Sequence, residues 1–193
     1  RDGGQELYVM NSDGTQQTRQ THGVTAKEIE PTSVSKLSSL PKLVASWSPT
    51  GDRLIFHAYQ GGNNWEIFVV GIQSGELEKL TSNDSTDIFP TWSPDGSQIA
   101  FSSGRDGNWE IYLMEPGGSS QTRITHNASG DIFPIWSPDG SRIIFLSDRH
   151  GNRELYSIYT DGSMETRLTS GEAEEGSPTW SLTRQKVAFN SET

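Results

Sequence analysis

Residues 88–114 have the sequence IFPTWSPDGSQIAFSSGRDGNWEIYLM, and residues 132–158 have the sequence IFPIWSPDGSRIIFLSDRHGNRELYSI. The second stretch follows the first at an offset of 44 residues (132 − 88) and matches it along its whole length. Residues 47–70 repeat the pattern again. The first half of the unit recurs in 176–193, and its second half recurs in 1–21. An internal repeat of this length indicates a stack or ring of identical units.

Each unit divides into four short strands separated by turns. The first strand ends at Trp92, and Ser-Pro-Asp-Gly follows, in which Pro94 presets φ and Gly96 tolerates a positive φ. A second turn, Arg-Asp-Gly-Asn at 105–108, leads into a third strand with alternating side chains. Four strands per unit of this length are typical of a propeller blade. A helical solenoid is not expected, because no copy has a 3.6-residue period.

The repeat predicts an all-β chain that forms a single β-propeller domain of four four-stranded blades over residues 1–193. The predicted parts are a composite blade (1–21 plus 176–193), three continuous blades (43–81, 87–125 and 131–169) and an insertion loop (22–42). Pairing of the two terminal half-blades closes the ring and removes the sheet edges, so a monomer is expected. Two alternatives stay open at this point: a fragment of a longer propeller, and two chains that share one ring.

The unit P-x-W-S-P-D-G-S-x-I-A-F, followed by R-D-G-x-x-E-I-Y and R-I/L-T, resembles the TolB-like family of bacterial β-propeller repeats. The resemblance covers nearly the whole chain outside the insertion at 22–42. It implies a WD-like propeller fold and a periplasmic or extracellular location. The composite blade departs from the pattern, because Leu182, Thr183 and Arg184 replace Pro-Asp-Gly, and a looser loop is expected there.

Composition excludes several classes of partner and site. The chain of 193 residues has 15 Lys and Arg against 25 Asp and Glu, a net charge of −10. An acidic surface argues against nucleic acid, whose phosphates need a basic face. No apolar run is long enough for membrane insertion. The chain has no cysteine, so disulfides and thiolate metal sites are excluded.

Six tryptophans fall into two groups. Four occupy the end of a first strand and are expected to form the structural core between blades: Trp47, Trp92, Trp136 and Trp180. The remaining two, Trp65 and Trp109, lie outside that position, beside the turn before the third strand. They are expected to be exposed or half-exposed and are candidate recognition aromatics. Packing against an adjacent strand is the equally weighted alternative.

The residue five positions before each of the four repeat tryptophans is charged. These channel-mouth candidates are Asp87, Asp131, Glu175 and Lys42, with His126 nearby. Three carboxylates on one ring could hold Ca²⁺, which prefers several oxygen ligands. The favoured alternative pairs each acid with Arg1, Arg105 or Arg149 of a neighbouring blade.

No metalloprotease, phosphate-loop or nucleophile-elbow motif is present, so no catalytic residue is predicted and an enzyme is not expected. The favoured function is a non-catalytic scaffold that binds an unknown protein or peptide through one propeller face, with no cofactor. The insertion at 22–42 is the best loop for a specific contact. The alternatives are a carbohydrate-active or ion-dependent propeller with its site at the channel mouth, and a module of a larger TolB-like propeller.

Overall fold

The structure, a computed structural model, describes residues 8–13, 15–20, 44–61, 64–181, 183 and 186–192. Within these ranges the chain forms sixteen strands and no helix. The strands are β1 (Tyr8–Val9), β2 (Thr18–Arg19), β3 (Ala45–Trp47), β4 (Arg53–Gly61), β5 (Asn64–Gly71), β6 (Leu77–Lys79), β7 (Asp87–Trp92), β8 (Ile99–Ser103), β9 (Glu110–Met114), β10 (Thr122–Arg123), β11 (Asp131–Trp136), β12 (Arg142–Ser147), β13 (Glu154–Tyr159), β14 (Thr166–Arg167), β15 (Glu174–Trp180) and β16 (Val187–Glu192). A membrane-spanning helix is accordingly not found in this part of the chain.

Consecutive strands pair with each other in antiparallel sheets. Three sheets have four strands each, in the orders β3-β4-β5-β6, β7-β8-β9-β10 and β11-β12-β13-β14. We call them the first, second and third blades. Strands β1 and β2 form a two-stranded sheet at the N-terminal side, and β15 and β16 form another at the C-terminal side. The all-β class and the four-stranded unit are therefore confirmed.

The turn between the first two strands of a blade is held by its own side chains. In the second blade, the Asp95 carboxylate accepts hydrogen bonds from Ser93 Oγ at 2.6 Å and from the Ser97 amide at 3.0 Å. Gly96 adopts a φ of +73°, which a residue with a Cβ rarely takes. Asp139 makes the same contacts in the third blade. Ser-Pro-Asp-Gly is thus a turn, as predicted, because its aspartate accepts hydrogen bonds within the turn and its glycine adopts a positive φ.

The apolar core lies between blades rather than within one sheet. Trp92 packs with Ile55 and Val69 of the preceding blade. Trp136 likewise packs with Ala100 and Leu113 of the second blade. Burial of such side chains removes a large apolar area from water and fixes each blade onto its neighbour.

A bulge interrupts the first strand of the second and third blades. Phe89 and Phe133 have φ values of +55° and +61°, and the pairing register shifts at both positions. The freed Phe89 amide donates to His57 Nδ1 at 3.4 Å, and the Phe133 amide donates to Ser102 Oγ at 3.1 Å. Both acceptors belong to the second strand of the preceding blade, so the bulge adds a polar tie between neighbouring blades.

The expected closure of the ring is not found among the described strands. β16 pairs only with β15, and β1 pairs only with β2. Val9 packs against the core of the first blade, while Val187 packs against that of the third. Because no pairing joins β1 to β16 among the described strands, a closed four-bladed ring is not confirmed. The predicted insertion loop, 22–42, lies outside the described residues.

Candidate functional site

Two of the carboxylates predicted for the channel mouth are paired with arginines. Asp87 and Asp131 are the first residues of β7 and β11, and both are fully buried. Arg105 Nη2 lies 2.9 Å from Asp87 Oδ2, and Arg149 Nη2 lies 3.1 Å from Asp131 Oδ1. Each arginine belongs to the same blade as its acid, not to a neighbouring blade as expected. The reason is the register, which places Asp87 opposite Ser103, only two residues before the arginine.

Further donors surround these carboxylates, although Asp87 Oδ1 is buried without a hydrogen-bond partner in the described part of the chain. Asn83 Nδ2 donates to Asp87 at 2.7 Å, and the Arg105 guanidinium lies 4.6 Å from the centre of the Tyr112 ring. Asn127 Nδ2 takes the same place on Asp131, at 2.6 Å. Burial raises the pKa of both carboxyl groups, while the adjacent serine and arginine side chains oppose that rise. The arginine and asparagine side chains therefore fix both carboxylates within their own blades.

The third acid of the predicted ring has fewer partners. Glu175 is buried in β15, where its Oε1 accepts a long hydrogen bond of 3.4 Å from Ser191 Oγ. Its other oxygen, Oε2, is buried without a hydrogen-bond partner in the described part of the chain. His126 is exposed, and Lys42 lies outside the described residues. Within the described ranges no three His, Asp or Glu side chains are grouped as metal ligands, so a Ca²⁺ site stays a prediction.

The repeat tryptophans differ in burial although they share one sequence position. Trp92 and Trp136 are 7% exposed, and Trp180 is half-buried. Trp47, in contrast, is 48% exposed and does not form the expected core. The tryptophan of a blade packs against the blade before it. Trp47 is more exposed because only the two short strands β1 and β2 are described on that side of the first blade.

The two other tryptophans join a row of aromatic side chains that crosses all three blades. We call this the aromatic row, and its members are Tyr59, Trp65, Phe89, Trp109 and Phe133. Trp65 is only 4% exposed, which corrects the expectation that it would be exposed or half-exposed. Trp109 is half-buried, as are the two outermost members of the row.

Ring contacts link four members of the aromatic row, and Trp109 packs against the same cluster. The Phe89 and Phe133 rings lie 5.0 Å apart, and the Tyr59 and Trp65 rings lie 5.7 Å apart. The His57 ring joins the two pairs, at 5.3 Å from Trp65 and 5.5 Å from Phe89. Burial lowers the pKa of His57 to about 4, so this imidazole is neutral at pH 7 and serves as a hydrogen-bond acceptor in an apolar setting.

The Ser-Pro-Asp-Gly turns of successive blades lie against one another. A Cβ at Gly96 would lie 3.5 Å from Pro49, and a Cβ at Gly140 would lie 3.8 Å from Pro94, so the turns stack from blade to blade. Position 184, the next in this series, is an arginine instead of glycine. A cleft of about 520 Å³ lies beside the Ser-Pro-Asp-Gly turn of the third blade. Its lining residues are Ser137, Pro138, Asp139, Ser141, Arg142, Trp180 and Thr183.

Sequence reasoning missed a set of buried glutamates at the start of each third strand. Glu66, Glu110 and Glu154 are at most 1% exposed. Each accepts a hydrogen bond from a threonine hydroxyl 15 residues later, for example Thr125 Oγ1 to Glu110 at 2.6 Å. The signal for this contact is the constant spacing between the Glu of E-I-Y and the Thr of R-I-T in the repeat.

Comparisons with known proteins agree with this blade geometry. The family model of the TolB beta propeller domain matches residues 34–193. The Tol-Pal system protein TolB of Alcanivorax borkumensis is 33% identical over 70 residues, which make up 36% of this chain and 16% of that protein.

Two solved structures have the same fold. The putative TolB from Agrobacterium tumefaciens superposes with a TM-score of 0.71 at 26% identity, over 88% of this chain and 58% of that one. TolB from Acinetobacter baumannii gives a TM-score of 0.71 at 22% identity, over 95% and 42% respectively, and shows the fold alone. The chain thus spans less than two thirds of the length of these relatives. The family model matches residues 34–193, and the described sheets are the four-stranded blades of a propeller. The chain therefore belongs to the TolB β-propeller domain family.

Proposed function

We propose that the chain is a non-catalytic scaffold that binds a peptide segment of a partner protein on the face that carries the aromatic row. The observation that supports this most directly is the half-buried state of Tyr59, Trp109 and Phe133, which rest on the buried rings of the same row. Aromatic side chains that are held rigidly and partly exposed are frequent energetic centres of protein interfaces. Such a surface suits an apolar or aromatic side chain of the partner.

The start of the described first blade lies beside the aromatic row. Val44 is the second residue after the predicted loop 22–42, and it packs against Trp65, Ile88 and Phe89. The chain therefore enters the first blade beside the aromatic row.

The acid–arginine pairs argue against the catalytic alternative. Glycoside hydrolysis needs two carboxyl groups that face the scissile bond. Asp87 and Asp131 are instead fully buried and are each held by an arginine and an asparagine. By its similarity to the Tol-Pal system protein TolB, the scaffold is inferred to work in the bacterial periplasm as part of a protein assembly.

The role of the aromatic row can be tested with a random peptide library displayed on phage and selected on the purified chain. Peptides that bind the wild type are expected to lose at least tenfold in affinity on Trp109→Ala and on Tyr59→Ala. Met164→Ala changes a side chain that is 72% exposed on the third blade, away from the row, and serves as the matched control. Each variant is first checked for an unchanged cooperative melt.

Two outcomes contradict the proposal. Selected peptides that bind Trp109→Ala and the wild type equally well would separate binding from the aromatic row. Peptides whose affinity falls instead with Arg142→Ala would move the site to the cleft of about 520 Å³ beside Trp180.

A second candidate is that the chain is a module of a larger TolB-like propeller. The limited coverage of its relatives favours this, as does the open arrangement of its half-blades. A longer protein would continue the ring through further blades. The reading frame on both sides of this region tests it: further P-x-W-S-P-D-G units would support it, and a frame that adds no such unit on either side would contradict it.

A further inference from the structure

A notch lies beside the aromatic row, where the second blade meets the third. Gly130, the residue before β11, donates its amide hydrogen to Asp148 Oδ1 at 2.9 Å, and the next amide, that of Asp131, donates to the Trp109 carbonyl oxygen at 2.8 Å. A Cβ at Gly130 would lie 3.7 Å from the Trp109 Cβ and 3.8 Å from both carboxylate oxygens of Asp148. Trp109 and Asp148 therefore border one point, and Gly130 brings no side chain to it.

The notch is particular to this junction between blades. The repeat offset of 44 residues (130 − 86) relates Gly130 to Thr86 before β7, and the same offset leads to Glu174 in β15. Both of these residues have a side chain where Gly130 has none. The offset also relates Trp109 to Arg153, which binds Glu174 at 2.9 Å. An ion pair thus occupies the next junction, whereas Trp109 and Asp148 meet at this one.

Asp148 has no cation partner among the described residues. It is one of two half-buried acids in the described ranges, and the other, Glu174, is bound by Arg153. Asp148 Oδ1 accepts the Gly130 amide, while Oδ2 accepts no hydrogen bond from the described part of the chain. A carboxylate that is partly removed from water gains most from a charged donor. The Asp148 side chain can therefore accept one from outside the chain.

The blades already use an aromatic ring and a carboxylate together to hold a guanidinium. The Arg105 guanidinium lies 4.6 Å from the centre of the Tyr112 ring and 2.9 Å from an oxygen of Asp87. Arg149 has the same pair of contacts in the third blade. Tryptophan attracts a cation more strongly than tyrosine does. Trp109 and Asp148 thus offer the same two kinds of group to an arginine that does not belong to the chain.

Trp109 is held firmly enough to serve as one side of a binding site. It packs against Ile88 and Phe89 of the second blade and also against Ile132 of the third. A side chain that is already ordered loses little entropy when a ligand binds. The net charge of −10 also favours the approach of a basic segment. Packing and charge therefore both suit a cationic ligand.

We propose that the notch formed by Trp109, Gly130 and Asp148 accepts an arginine side chain of the partner peptide. The guanidinium packs on Trp109 and binds the Asp148 carboxylate, and the peptide places an apolar side chain farther along the aromatic row. This inference rests on the proposed function and names a residue that the peptide carries. Lysine suits the notch less well, because its ammonium group cannot bind a carboxylate through two parallel hydrogen bonds.

Peptides selected from the phage library on the wild type provide the probe. We expect them to be enriched in an arginine close to an aromatic or apolar residue. Asp148→Asn keeps an oxygen for the Gly130 amide but removes the charge, and it should lower the affinity of these peptides about tenfold. Asp161→Asn is the matched control, since it removes the same charge from an exposed acid of the third blade that also accepts one backbone amide at 2.9 Å. Its affinity should stay near that of the wild type.

A change in the peptide identifies the group that Asp148 contacts. Citrulline has nearly the shape of arginine but no charge. Replacing the arginine by citrulline should cost about tenfold in affinity on the wild type and less than about twofold on Asp148→Asn. Gly130→Thr introduces the residue of the second blade into the notch and leaves Asp148 in place. It should weaken the arginine peptide about fivefold and the citrulline peptide much less. Each variant is first checked for an unchanged cooperative melt.

The outcomes separate this inference from the proposed function. Peptides that lose affinity on Tyr59→Ala but bind Asp148→Asn as tightly as the wild type would overturn the arginine contact and leave the aromatic row as the binding surface. Selected peptides without a basic residue, or equal losses on Asp148→Asn and Asp161→Asn, would also overturn the contact. Peptides that are indifferent to both Tyr59→Ala and Trp109→Ala would overturn the proposed function, and this inference with it.

Discussion

Glu110 and Thr125 share a buried hydrogen bond of 2.6 Å that joins the third strand of the second blade to the end of the fourth. The same threonine Oγ1 accepts the amide hydrogen of Ile111 at 2.8 Å. The Thr125 hydroxyl therefore links the Glu110 carboxylate to the backbone of β9, the strand to which Glu110 belongs. Because the contact recurs in the first and third blades, it is a fixed part of the blade and holds a fourth strand of only two or three residues.

Removing the Thr125 hydroxyl should destabilise the protein far more than removing the exposed hydroxyl of Thr122. Thr125→Val keeps the shape of the side chain but leaves a buried carboxylate oxygen and a backbone amide without their partner. We expect a loss of about 2 kcal/mol in the free energy of unfolding, measured in urea. Thr122→Val, at an exposed hydroxyl in β10, should cost less than about 0.5 kcal/mol. Equal losses in the two variants would show that the buried contact has no special weight.

The unequal burial of the repeat tryptophans predicts unequal mutational effects. Trp136→Ala should destabilise by roughly 3–5 kcal/mol, because it opens a cavity between the second and third blades. Trp47→Ala should cost about 1 kcal/mol or less, since that side chain is 48% exposed. Denaturant unfolding of the two purified variants measures the difference. A large loss in Trp47→Ala would indicate that a partner, such as a second copy, covers this tryptophan.

The pair of Asp87 and Arg105 should behave as a coupled unit. Arg105→Met leaves a fully buried carboxylate without its cation, and we expect a loss of roughly 3–5 kcal/mol. Adding Asp87→Asn removes the stranded charge and should restore at least half of that loss. A double-mutant cycle measures the coupling. Strictly additive losses would mean that the two residues contribute independently.

Buried His57 predicts a loss of stability in mild acid. Its pKa is lowered by burial from 6.5 to about 4, so the unfolded chain takes up a proton between these values while the folded chain does not. The stabilisation that comes from keeping His57 neutral is fully present above pH 6.5 and decreases as the pH falls towards 4. The decrease between pH 8 and pH 5 should be about 2 kcal/mol.

The comparison of variants separates His57 from other titrating groups. Chemical unfolding at several pH values should give a shallower pH dependence for His57→Gln than for the wild type. His126→Gln removes an exposed imidazole and should leave the pH dependence unchanged. If all three proteins have the same slope, protonation of His57 does not limit stability in acid.

Residue types and spacing were sufficient to predict the local structure of the blades. The Ser-Pro-Asp-Gly turn forms for the predicted reason, with Asp95 accepting from Ser93 and Ser97 and Gly96 at positive φ. These contacts span at most four residues, so they are encoded directly in neighbouring sequence. The prediction that Asp87 would meet an arginine of a neighbouring blade was wrong in the choice of blade, because strand register decides which turn lies beside it.

The amino-acid sequence by itself determined the repeat, the four strands of each unit and the kinds of residue at every repeated position. Only the tertiary structure decided which of these equivalent residues are buried. Trp47 and Trp136 share a position, as do Phe189 and Phe101, yet one member of each pair is exposed and the other is covered. The physical reason is that a blade buries its apolar face against the next unit, so burial depends on whether a neighbour is present and not on the residue itself.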